Sequence, residues 1–229
     1  MQALSRMADL MWLNILTMIC CIPIFTIGPA LTAMHYMCLK MARNEETYVT
    51  QGYFKSFKEN FKQGVCIWLI HLVVLAVVVV DMYIMFTAAE PLNIVVQIVI
   101  YLVAFLVILT STFLYPLFAK FVNTTKATIK NSFLIGIMQF PKTILMIVMN
   151  FIPPIAFIMF PQVIPLVLFF GLSLPAYLGA KLYNGFFQRL EDQYMEANGL
   201  YEEESEEEDE RIFKDELDPA LAVGEENQQ

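Results

Sequence analysis

VCIWLIHLVVLAVVVVDMYIMF, residues 65–86, decides the fold of this chain. From Val65 to Val80 only His71 interrupts an apolar run. The stretch is long enough to supply the ~20 residues with which an α-helix crosses the ~30 Å hydrocarbon layer. It has no polar face, so it reads as a membrane span rather than one side of a soluble core. A second run of the same character covers about 92–118, and a short turn at 88–92, with Glu90 and Pro91 and no base, divides the two.

Working outward, two more spans fall at about 143–160 and 163–183, the first bent by Pro153-Pro154 and the second carrying Gly171, Pro175 and Gly179. On the N-terminal side the apolar segment 10–39 is broken by Pro23 and by Gly28-Pro29. Proline removes a backbone donor and pushes the residue before it out of helical geometry. The expectation is a spanning helix to about residue 22, an unwound stretch PIFTIGP (23–29), and a second helix over 29–43. That second leg has a reach of ~22 Å, too short to cross, and belongs at the inner interface or partly embedded. The fold class is therefore all-α: a polytopic membrane helix bundle of about five transmembrane helices plus interfacial amphipathic helices.

Composition agrees: 58% of the 229 residues are hydrophobic and the mean hydropathy is +0.60, against ~45–50% apolar residues in soluble domains. Charge supplies the topology. Thirteen of the fourteen Lys and Arg residues lie in alternate connecting segments, and only Arg6 lies on the other side. Basic loops stay cytoplasmic, so the N-terminus is expected outside and the C-terminus inside. The net charge of -8 comes from the end of the chain, where residues 201–229 hold 13 of the 22 acids. Such a run of like charge does not collapse. The division is a transmembrane helical domain, 1–197, and an acidic disordered cytoplasmic tail, 198–229.

Between the first two spans runs ARNEETYVTQGYFKSFKENFKQG, residues 42–64. Its aromatic residues recur at helical spacing among lysines, the pattern of an amphipathic helix on the cytoplasmic membrane face. Tyr53, Phe54, Ser56, Phe57, Asn60 and Phe61 form this interfacial motif. The segment KFVNTTKATIKNSFLIGIMQFPK, residues 120–142, repeats the layout of basic loop, interfacial helix and span, with Ser132 and Phe133 matching Ser56 and Phe57.

Chemistry-bearing patterns are sparse. The cysteines Cys20, Cys21, Cys38 and Cys66 sit in or beside apolar runs, without metal-ligand spacing, and no disulfide is expected. There is no HExxH, no GxSxG and no phosphate-cradling glycine loop. No cofactor, metal or nucleic-acid partner is expected, and the lipid bilayer is the one partner the composition requires. Two candidate features remain. The break in the first helix, at Pro23, Thr26, Gly28 and Pro29, leaves carbonyls that need partners, as discontinuous helices do at binding sites. His71 and Asp81 are ionisable groups in a membrane stretch, ten residues and so ~15 Å apart on one helix.

PIFTIGPALTAMHYMCLKMARNE (23–45), YFKSFKENFKQG (53–64) and NSFLIGIMQFPKTI (131–144) together resemble the YesL family of bacterial integral membrane proteins, over roughly residues 5–190. The resemblance implies a multi-pass plasma-membrane protein, since the family has no established activity and its genes often lie beside those of carbohydrate ABC transporters. It also implies a non-enzymatic accessory or regulator of such uptake, with carbohydrate ABC-transporter subunits as partners. The acidic tail departs from the family's usual short C-terminus. A small secondary transporter or channel-like protein is the alternative, and an intramembrane enzyme built on His71 a further one.

Overall fold

The computed structural model describes residues 2–45, 48–88, 93–121 and 123–197. The expected outer turn around Glu90 and the acidic tail lie outside the described residues. The helices are α1 (Gln2–Cys20), α2 (Ile27–Ala42), α3 (Val49–Glu59), α4 (Phe61–Thr87), α5 (Ile94–Lys120), α6 (Thr125–Met138), α7 (Phe140–Met159), α8 (Ile164–Phe170) and α9 (Ser173–Ala197). Among the described residues there is no strand. The chain divides into a compact unit over Met1–Asn184 and a second from Gly185 onward. The described part of the second unit is the helical end of α9.

Among the described residues, three helices are long and apolar enough to cross a membrane: α4, α5 and α7. A fourth candidate is α8 with the start of α9, bent by 48° at their junction. The first of the five expected spans is not among them. Arg6, Asp9 and Asn14 interrupt α1, which buries Leu10, Leu13 and Leu16 and exposes Leu4 and Met7.

The fold begins as a hairpin. Pro23 bars a continuous helix, and a short 3-10 turn over Ile24–Thr26 reverses the chain. The Thr26 hydroxyl sits 2.6 Å from the Cys20 carbonyl and 2.7 Å from the Pro23 carbonyl. The two arms are of similar length, so the open end brings Arg6 onto the Asn44 side chain and within 3.2 Å of the Tyr177 hydroxyl. Lys181 lies over the Tyr177 ring, and Arg43 donates to Asn184 at 2.8 Å. The sequence reading separated Arg6 from the other cations; the structure places it among them. An α1 that crossed the bilayer alone, with α2 left at the inner face, would hold Arg6 roughly a hydrocarbon thickness from Asn44.

α2 then passes under the bundle. Gly28 lies against Gly64 and Trp68 of α4, Leu31 packs on the cluster of Ile67, Leu114, Tyr115 and Phe118, and Cys38 reaches the Ser173 carbonyl of α9. A Cβ at Gly28 would meet the Gly64 backbone, so glycine is what permits the contact. The repeated layout of the basic segments recurs in three dimensions: α2 packs on α3 and α5 on α6, and single-residue breaks at Asn60 and Gln139 lead into α4 and α7. Asn60 separates α3 from α4.

The far halves of α4 and α5 project from this core. Apart from Gly64 and Ile67, α4 buries nothing fully, and α5 buries only its last third, from Leu109 to Phe118. Side chains such as Val79 and Val95 are more than half exposed. Mostly apolar and largely exposed, these halves suit lipid as their surroundings.

One buried polar side chain holds the bend between α8 and α9. Asn14 accepts from the Leu172 and Ser173 amides at 2.9 Å each, and donates to the Leu168 carbonyl at 2.6 Å. Its amide replaces the helical partners that the break removes. Asn14→Leu leaves two buried amides and a carbonyl unpaired and is expected to destabilise the bundle by about 3 kcal/mol. Unfolding by SDS titration in mixed micelles measures this, and an unchanged midpoint would show that the bend stands without Asn14.

Candidate functional site

The expected break in the first helix proves to be self-contained. Thr26 occupies the Cys20 and Pro23 carbonyls, and Gly28 and Pro29 are taken up by contact with Gly64. Pro23, Thr26, Gly28 and Pro29 thus serve a reversal and a close helix crossing. The interfacial motif splits between two faces of α3. Tyr53 and Ser56 are buried, with the Tyr53 hydroxyl 3.4 Å from the Ala30 carbonyl, while Phe54, Lys55 and Lys58 face outward. Phe57 links the Tyr53 and Phe61 rings, and Asn60 bonds back to the Ser56 carbonyl at 2.9 Å.

His71 acquires two partners from α5 that the sequence did not suggest. Its Nδ1 lies 2.9 Å from the Tyr115 hydroxyl and its Nε2 2.7 Å from the Ser111 hydroxyl. Ser111 also donates to the Val107 carbonyl at 2.7 Å. One assignment satisfies all three groups: Tyr115 donates to Nδ1, Nε2–H donates to Ser111, and Ser111 donates to Val107. The serine proton then faces a carbonyl rather than the imidazole, so the histidine does not activate it as a base activates a nucleophile. The cluster ties α4 to α5. Asp81, two to three turns along α4, is not brought to it.

A cavity of about 720 Å³ lies elsewhere, among α1, α2, α5, α7, α8 and α9. Its walls are mostly apolar, but His35, Thr112 and Asn150 reach it, as do Pro153, Pro154 and Gly171. The Nδ1 of His35 is enclosed and has no hydrogen-bond partner. No Asp, Glu, Lys or Arg lines the walls. Among the described residues no group of three or more His, Cys, Asp and Glu could hold a metal ion. The arrangement suits reversible binding of an uncharged molecule. Sequence reasoning missed this site because its walls come from six helices far apart in the chain.

Burial pushes the His35 imidazole down from 6.5 to about 4. The folded chain therefore keeps this group neutral where the unfolded chain has protonated it. The stability associated with neutral His35 is present above pH ~6.5 and is lost as pH falls through about 4. Comparing the melting temperatures of the wild type and His35→Gln from pH 7 to pH 4 isolates this group from the many carboxylates. The wild type is expected to lose more than the variant across that window; parallel curves would contradict the assignment.

A family described as "Protein of unknown function, DUF624" matches residues 10–82, from α1 to near the end of α4. The match takes in Asn14, the hairpin turn, His35, the α3 motif, His71 and Asp81, and stops short of the α5, α7 and α8 walls of the cavity. No curated protein and no solved structure matches the chain. Over its first third, then, this helical membrane protein is similar to a family whose function is not established.

Proposed function

We propose that the chain is a non-enzymatic, multi-pass protein of the bacterial plasma membrane that assists or regulates carbohydrate uptake of the ABC type. The likeness of its N-terminal blocks to the YesL family supports the setting, and the match over residues 10–82 falls on the same blocks. The observation that carries an accessory role is the α4–α5 pair. Two helices of 27 residues each leave the core and have almost no intrachain cover over their far halves. Lipid covers most of such a surface, and a neighbouring span can pack on it by close contact of side chains.

On this reading both ends of the chain lie in the cytoplasm. Arg6 shares its surroundings with Arg43 and Lys181, so an even number of crossings keeps all these cations on one side. Four crossings fit α4, α5, α7 and the bent α8–α9 pair.

A small secondary transporter is the second reading. The cavity between proline-interrupted helices favours it, because discontinuous helices commonly frame transported substrates. The two readings separate in the membrane. Tagged full-length protein, solubilised from native membranes in mild detergent, is expected to bring down transporter permease subunits in near-equal amount. Recovery of the chain alone, with sugar uptake by liposomes containing only this protein, would favour the transporter and contradict the accessory role.

A further inference from the structure

The outer side of α1 is apolar and uncovered. Leu4, Met7, Trp12 and Ile19 are exposed along it at helical spacing, opposite the buried Leu10, Leu13 and Leu16. The exposed side continues through Ile22 and Phe25 at the hairpin turn. Trp12 stands at its edge, where the indole N–H donates to the Thr50 hydroxyl of α3 at 2.9 Å while the residue stays 45% exposed. Across that bond the outward side of α3 begins with Tyr48 and Phe54 and passes to Lys55, Lys58 and, at the start of α4, Lys62. All three lysines are exposed, and Glu59 is the one acid in the stretch 55–62. Among the described residues no acid pairs with these lysines, and Lys40 with Glu45 at 3.6 Å is the ion pair nearby in the chain.

The depth of this surface follows from α4. Gly28, just past the hairpin turn, lies against Gly64 and Trp68, within two turns of Lys62. The turn therefore meets the span at its basic end. Arg6 and Arg43 stand at the other end of the hairpin, and cations keep to the cytoplasmic side. With both ends held at that face, α1 runs along the inner leaflet. Apolar stripe, aromatic rings and lysines then follow one another across α1 and α3 in the order of acyl chains, glycerol region and headgroups. A neighbouring span would offer the stripe apolar contact but no row of negative charge for the lysines.

We propose that α1 and α3 together form a docking surface for anionic phospholipid of the inner leaflet, with acyl chains against the apolar face of α1 and headgroup phosphates on Lys55, Lys58 and Lys62. Unpaired charges of one sign favour an anionic headgroup over a zwitterionic one. The inference shares the cytoplasmic placement of the cations with the proposed topology. It does not depend on the accessory role, and its failure would leave that role untouched.

The chain has two tryptophans, Trp12 and Trp68, so Trp68→Phe leaves Trp12 as the sole fluorescent indole. The test reconstitutes the full chain in vesicles of phosphatidylcholine with a minor share of phosphatidylglycerol. Bromine, a contact quencher of indole fluorescence, is carried on the acyl chains of an equal mole fraction of one lipid or the other. Brominated phosphatidylglycerol is expected to quench Trp12 about twice as strongly as brominated phosphatidylcholine. Combining Lys55→Gln, Lys58→Gln and Lys62→Gln should bring the two to equality while leaving quenching by phosphatidylcholine intact. Should Trp68→Phe fail to fold, the difference between the wild type and Trp12→Phe reads the same indole. A Trp12 that neither lipid quenches would mean that protein or water covers α1, and would overturn the proposal. Equal quenching by the two lipids with the lysines in place would do the same, as would a preference for phosphatidylglycerol that survives their loss.

Discussion

A cation does not rest in hydrocarbon without a polar partner, and the arrangement of this chain depends on that constraint. Arg6 is the informative case. It stands at the mouth of the α1–α2 hairpin against Asn44 and Tyr177, with Lys181 on the other side of the tyrosine ring. The hairpin returns Arg6 to the neighbourhood of Asn44 and Tyr177, so α1 is half of a folded-back pair. Among the described residues, α4, α5, α7 and the bent α8–α9 pair taken as one span have the length and composition to cross a membrane.

Proline governs the rest. Outside a membrane a broken helix is repaired by water; within one the chain must find another partner. This protein answers in two ways. At the hairpin turn and at the α8–α9 bend, side chains complete the backbone: Thr26 takes the Cys20 and Pro23 carbonyls, and Asn14 takes both sides of the bend. Inside α5 and α7, Pro116, Pro153 and Pro154 are kept where neighbouring helices pack against the interrupted ladder.

Much of the architecture was legible in the sequence. The spans 65–86, 92–118 and 143–160 emerge as α4, α5 and α7 because an apolar run without a polar face has one stable setting. The stop at Pro23 and the repeated layout of α2–α3–α4 and α5–α6–α7 were legible too, since both are local. What was not legible is pairing at a distance. Nothing near Arg6 in the sequence announces Asn44 or Tyr177, so charge counting alone does not bring it to them. His71 looked isolated because Ser111 and Tyr115 lie about forty residues away. The cavity was hidden for the same reason: its walls come from helices far apart in the chain, and only packing brings them around one space.

The most direct measurement concerns the first residues of the chain. In a cysteine-free background, Ser5→Cys can be labelled with a membrane-impermeant maleimide in intact cells and in inverted vesicles. The account predicts labelling in inverted vesicles alone, alongside a reporter cysteine replacing Lys58 in the basic segment. Labelling of position 5 in intact cells, with position 58 still protected, would mean that α1 crosses the bilayer and that the hairpin does not exist in the membrane.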